Sequence, residues 1–247
     1  MRLIRLSAVV VWVVCWPLSA CFAQQNHHDH DPLEPVNRRI FWFNDQVDIY
    51  VLEPVAKGWN AIAPKRVQRS IANFFVNLDV PLVFVNNLLQ GKVEASASDV
   101  GRFAVNSTVG VAGLFDPASS WGLEQHVEDF GQTFGRWGIP PGPYLVLPFF
   151  GPSNPRDGVG RIGDAAMRVY PFFAPSYVSP FATGTELINA RARALDEVRE
   201  AKATALDYYT LVRNAYIQHR EALVNDGAEI SRETEDDLYE IKNDTAE

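Results

Sequence analysis

The chain of 247 residues holds 22 Lys+Arg against 30 Asp+Glu, a formal net charge of −8, and it has two cysteines. Excess acid repels a phosphate backbone and excludes nucleic acid as a partner, and two cysteines are too few for a disulfide framework. Once an export leader is set aside, the length fits one domain of roughly 200 residues.

The leader comes first in the chain. Arg2 and Arg5 precede an apolar run broken only by Ser7 up to Pro17, and the small residues Ser19 and Ala20 come after it, which is the pattern of an export signal. The run is shorter than the ~20 residues that cross a bilayer. Leu18-Ser19-Ala20-Cys21 resembles the lipobox that bacterial signal peptidase II cuts. It predicts loss of residues 1–20 and a Cys21 carrying diacylglyceryl and acyl groups; an ordinary signal peptide cut at Ala20 or Ala23 is the alternative. Cys15 leaves with the signal, so no thiol remains for a disulfide, a nucleophile or a metal. Acyl chains add about 0.8 kcal/mol per buried methylene, and several on one cysteine hold a protein to a membrane almost permanently. Phe22 rather than Asp follows the cysteine, which places the anchor in the outer membrane on its periplasmic side.

Residues 21–30 read as a lipidated tether; His27, His28 and His30 with Asp29 have metal-ligand chemistry but no fixed spacing, and no metal is assigned to them. Asp31 as N-cap, Pro32 at the first position and Glu34 at the third form a capping box, which predicts a helix from Asp31. At about 100° per residue, Leu33, Val36, Ile40, Phe43 and Val47 share one arc. Asn37 and Asn44 lie together beside it, and Trp42 is almost opposite. Apolar rings on both sides predict a helix wetted on little of its circumference, either central in a core or facing lipid. Pro54 and Pro64 divide the next stretch into short helices.

Residues 65–78 read as an amphipathic helix, in the membrane plane or on an aqueous surface. Residues 80–89 are apolar nearly all round and too short to span, and residues 93–114 form a small-residue helix interrupted by Asp99, Arg102 and Asn106. No segment after the leader is therefore predicted to cross a bilayer. Residues 138–180 hold nine of the sixteen prolines, which rules out long elements there. Residues 144–147 suit a short strand or hairpin arm, and residues 154–164 turn into a helix that runs to Met167. Residues 185–226 read as amphipathic helix used for packing. Residues 227–247 form an acidic tail, predicted to be solvated and partly disordered, with a docking strip for a basic partner as the alternative.

Catalytic signatures are missing. There is no GxSxG elbow, Gly-rich phosphate loop or HExxH. Past the tether only His126 and His219 remain, so a lipid hydrolase would rest on His126 with no recognisable nucleophile. Glu128 and Asp129 stand in no catalytic motif. The expectation is a protein that is not an enzyme, with no cofactor and no metal.

In order along the chain, DPLEPVNRRIFWFN, VLEPVAKGW, NFFVNLDVPLVFVNNLLQG, GRFAVNSTVGVAGLFDPA and EDFGQTFGRWGIPPGPYLVLPFFGPSNPRDGVG resemble the VacJ/MlaA family of outer-membrane phospholipid-binding lipoproteins. The likeness covers residues 31–226 and the lipobox. It implies a mainly α, ring-shaped domain of short amphipathic helices lying in the inner leaflet, with a Pro/Gly-rich loop or short β-hairpin near a central amphipathic channel. It implies transport of strayed outer-leaflet phospholipid to the soluble periplasmic carrier MlaC, beside a trimeric porin, with an inner-membrane ABC transporter completing the return path. A lipoprotein that scaffolds porins without moving lipid is the alternative. The channel residues implied are Phe43 and Asn44, with Asn37, and Gly138 and Gly142 bounding a loop that leads to Tyr144. Between those glycines stand Ile139, Pro140 and Pro141, which stiffen the loop.

Overall fold

The structure, a computed structural model, describes residues 31–168 and 178–226. The signal peptide, Cys21, the tether, the acidic tail and part of the proline-rich segment lie outside the described residues.

Asp31 does not open a capping box. It turns the chain by accepting from Leu33 N–H (2.9 Å), and α1 begins three residues later, Glu34–Val47. Pro54 does not end the helical path either. Asp48–Leu52 forms a π-helical turn in which Glu53 N–H reaches back to the Asp48 carbonyl, and α2, Glu53–Ile62, continues from it. A wider turn accommodates the ring of a proline that would otherwise press on the carbonyl four residues earlier. Pro64 does mark a boundary, at the start of α3.

The two segments expected at 65–78 and 80–89 are one helix, α3, Lys65–Leu89, with Pro81 inside it. At 1.5 Å per residue this is nearly 40 Å, so α3 is long and apolar enough to cross a membrane, against the expectation. Its buried residues include Gln68, Asn77, Asn86 and Asn87, which turn toward other helices. α4 is Val93–Thr108, and its Asp99, Arg102 and Asn106 do not interrupt it: all three are buried on one face. The short α5, Pro117–Ser120, and α6, Phe130–Arg136, start at Asp116 and Asp129, whose carboxylates cap them. The hairpin arm expected at 144–147 is β1, Leu145–Leu147, paired antiparallel with β2, Gly151–Ser153, Leu145 facing Ser153. Asn154 caps α7, Pro155–Met167. The C-terminal stretch divides into α8, Val178–Arg193, α9, Leu195–Thr204, and α10, Tyr208–Val224.

The elements close on themselves. α1 packs on β1, β2 on α10, α10 on α6, α6 on α3, α3 on α8, α8 on α2, and α2 returns through the π turn to α1. This circuit is the helical ring. Its seams are polar. Asn189 donates to the Gln68 carbonyl (2.9 Å) and accepts from Trp59 Nε1 (3.1 Å), joining α8 to α3 and α2; Thr133 donates to Asn86 (2.7 Å), joining α6 to α3.

Burial runs opposite to that of an ordinary globular domain, in which large apolar side chains fill the interior. The largest fully buried side chains described are all polar, led by Gln68, Gln132, Asn37, Asn86, Asn87 and Asn189. Apolar clusters are small: Ala56, Ala192 and Leu195 with Trp59, and Tyr144, Val146 and Tyr209 with Ile40 and Phe41. Meanwhile Ile62 is 75% exposed, Phe181 76% and Trp42 64%. An apolar outside of this extent marks a surface that meets something other than water.

Candidate functional site

Asn37 and Asn44 stand two turns apart on one face of α1. The Asn37 amide donates to the Tyr144 carbonyl (3.0 Å) while Val146 N–H donates to its oxygen (2.9 Å). The Asn44 amide donates to the Leu147 carbonyl (2.9 Å) and accepts from Phe149 N–H (2.8 Å). Each side chain offers the hairpin what a neighbouring strand would offer. Asn37 also donates to the Asp31 carboxylate (3.1 Å), which the Tyr209 hydroxyl caps from α10. Asn37 is 1% exposed with both ends of its amide engaged, so its side chain faces β1 and not a headgroup. Beside this clamp, the Arg38 guanidinium holds Asp207 and Glu34 and lies over the Tyr209 ring, 4.4 Å from its centre. Through it the Asp207 carboxyl is held well below the usual carboxylate range.

At the tip of the hairpin Phe43 meets Phe149 edge to face, 5.3 Å between centres, and Phe149 and Phe150 are both exposed. Tyr144 is buried between Tyr209 and Tyr216, its hydroxyl without a hydrogen-bond partner and shifted upward by burial. Gly138 (φ +86°) ends α6: its N–H returns to the Gly135 carbonyl and Ile139 N–H to Phe134, the paired bonds of a Schellman stop. Gly142 (φ +76°) lies where a Cβ would come within 3.1 Å of the Pro155 ring. Between them Ile139, Pro140 and Pro141 are exposed. The loop is thus fixed at both ends and bare in the middle.

A cavity of about 340 Å³ opens where α3, α4, the segment 125–129, α7 and α10 converge. Its wall is charged, and nearly every charge is matched. Arg220 reaches both Asp129 oxygens (2.6 and 3.0 Å) and Asp157 (2.8 Å), which also accepts from the Tyr216 hydroxyl (2.6 Å). Burial pushes the Asp129 and Asp157 carboxyls up, and these donors overcome it and leave both below their ordinary values. Arg102 holds Asp116 with two bonds (2.9 and 3.0 Å), Arg168 holds Asp79 (3.2 Å), and His126 Nδ1 lies 2.9 Å from Asp99. Asp164 differs. It accepts from Phe130 N–H (2.9 Å), and burial, aided by nearby Asp129, pushes its carboxyl up to about 6.

Comparison with known proteins accounts for this combination. A family model described as MlaA lipoprotein matches residues 29–223. The chain belongs to the MlaA lipoprotein family. Similar relatives include the Haemophilus influenzae protein named "Intermembrane phospholipid transport system lipoprotein MlaA", 37% identical over 206 residues, 80% of each chain. The Escherichia coli protein of the same name is 33% identical over 91% of this chain and 90% of its own. A solved structure described under "Structural basis for maintenance of bacterial outer membrane lipid asymmetry" has a TM-score of 0.70 at 34% identity, covering 79% of this chain and 99% of that one.

On this MlaA scaffold the residues expected from the sequence fall into two groups beside the hairpin, and none of them lines the cavity. Asn37, Phe43, Asn44 and Tyr144 meet around β1, and Gly138 and Gly142 bound the loop that leads into it. Sequence reasoning misses the charged cavity: Asp129 and Asp157 lie in the stretch that carries the family likeness but take no role from it, Asp164 and Arg220 stand in no motif, and α10 reads as packing alone. A signal is present all the same. Tyr209, Arg213, Tyr216 and Arg220 recur at helical spacing on one face of α10, as Asp99, Arg102 and Asn106 do on α4.

Proposed function

We propose that this protein maintains outer-membrane lipid asymmetry by taking phospholipid from the outer leaflet into the polar interior of its helical ring and releasing it toward the periplasm. The observation that carries this reading is the inverted burial: a charged cavity and polar seams between helices, with Ile62, Phe181 and Trp42 left exposed. A headgroup crossing a bilayer needs a polar wall, and the helices around that wall need an apolar outside to rest among acyl chains. The names of the H. influenzae and E. coli relatives, which speak of intermembrane phospholipid transport, support a transport role.

In this reading the acylated Cys21 holds the ring at the inner leaflet and a trimeric porin flanks it. A soluble carrier of the MlaC kind receives the lipid. Phe43, Asn44 and the clamped hairpin set the state of the passage, and the bare loop between Gly138 and Gly142 lies beside it. The transfer breaks no bond; the His126–Asp99 pair serves as wall. The test is surface-exposed phospholipid in cells deprived of the protein, read with an externally added probe. It should rise and return to normal on complementation. An unchanged surface, or release of fatty acid by the purified protein that is lost on His126→Ala, would overturn the proposal.

A further inference from the structure

Among the described residues lining the cavity, two charges lack an opposite charge. Arg161 donates to two backbone carbonyls of the hairpin, Pro152 (2.9 Å) and Phe150 (3.4 Å), and to no carboxylate. A guanidinium has five N–H donors, so part of its fork is left for an acceptor. Asp164 accepts from one backbone N–H and has no cation within ion-pair distance. The remaining acids and cations of the wall pair with one another or with neighbours outside it: Arg220 with Asp129 and Asp157, Arg168 with Asp79, Arg102 with Asp116, His126 with Asp99, and Glu128 with Lys92.

Arg161 and Asp164 are three apart on α7, both within its Pro155–Met167 span, so their Cβ atoms stand about 5–6 Å apart on one face. Yet they form no ion pair with each other. One open cation and one open acid side by side complement a molecule that carries one anion and one cation a short distance apart. At about 340 Å³ the cavity is near the lower end of pockets that hold a small molecule. It admits a headgroup, not a headgroup with two acyl chains.

We infer that this cavity selects a zwitterionic headgroup, a phosphodiester bearing a primary ammonium, with Arg161 receiving the phosphate and Asp164 the ammonium. Such a headgroup is that of phosphatidylethanolamine. The assignment rests on the phospholipid-transport reading and deepens it. An anionic headgroup such as phosphatidylglycerol satisfies Arg161 but leaves the Asp164 carboxylate facing hydroxyls and an uncompensated phosphate. The carboxyl's upward shift comes from burial, which outweighs the attraction of Arg168 and Arg220, neither of which reaches it within ion-pair distance. A charge-assisted hydrogen bond at a partly buried site supports a preference of about five- to tenfold.

The experiment equilibrates the purified full-length protein with mixed micelles holding equal phosphatidylethanolamine and phosphatidylglycerol, then reads the lipid retained by mass spectrometry. The wild type should retain phosphatidylethanolamine in about five- to tenfold excess, and Asp164→Asn should bring the ratio close to one. Arg161→Gln should lower both lipids together. Soluble phosphoethanolamine is added in a parallel arm; displacement of lipid by it at millimolar concentration would assign the site to the free ester and count against a lipid headgroup. Equal retention by the wild type overturns headgroup selection and leaves phospholipid transport standing. No retained phospholipid in any sample overturns both. The wild-type ratio needs no variant, so a variant that folds poorly does not rescue the inference.

Discussion

At the residue scale, the polar side chains that a sequence reader places at a lipid interface are the ones that hold the fold. Asn37→Ala removes a donor and an acceptor at a site closed to water and strands Tyr144 C=O and Val146 N–H, a cost of about 2–3 kcal/mol. Asn37→Asp should be at least as damaging, because it sets a second carboxylate on Asp31. Asn44 is half-buried and touches no acid, so Asn44→Asp should cost less; thermal melting of the three proteins in one detergent tests the order. Asp164 gives a pH signature of defined sign. Its folded value, about 6, lies above the ordinary 3.8, so the folded state holds its proton more tightly. Stability from this group is full below about pH 4 and is lost as pH rises through 6. The groups that face it are Asp129, Arg168, Arg220 and Phe130 N–H, and Asn at this position still accepts from Phe130. Asp164→Asn should therefore melt higher than the wild type at pH 7.5, by a margin that shrinks at pH 5. A margin that grows on acidification would contradict the burial of this carboxyl.

At the element scale, the helices are placed by polar contacts and by close backbone approach more than by apolar stripes. Gly160 of α7 lies so near α6 that a Cβ would fall 2.4 Å from Gly131 N and 2.8 Å from its Cα. Gly160→Ala must push the two helices apart, at a cost of about 2–3 kcal/mol, and would move Asp157 away from its partners. The variant should express at reduced level and melt several degrees lower. Much of the element plan is legible in the sequence. The strand at 144–147, the Asn154 start of α7 and the boundary at Pro64 come from turn chemistry and proline placement. Three features are not legible. α3 is continuous because one proline removes a single rung from a helix of 25 residues. α1 passes into α2 because a π turn absorbs Pro54. The internal role of Asn37 depends on a strand more than a hundred residues away, which no local pattern announces.

At the scale of the whole molecule, periodicity tells that apolar residues lie on more than one side of several helices, though it cannot say which side meets a neighbour. The structure answers that: the seams between helices are polar, and Ile62, Val93 and Phe181 are left exposed. Full burial of one such side chain is worth about 1.5–3 kcal/mol, so the perimeter alone should hold the protein to a bilayer. A Cys21→Ala protein, without the proposed acylation site, should still float with phospholipid vesicles, and Ile62→Lys with Phe181→Lys should reduce the floating fraction severalfold. Equal flotation of the two proteins would remove this perimeter from the membrane contact.

The circuit is completed last in chain order. Asp207 and Tyr209 meet Arg38 and Asp31, and Arg220 ties α10 to α6 and α7. Until those residues are made, the polar interior has a missing side. A chain cut short before Asp207 therefore lacks α10 and leaves Asp129 without its cation.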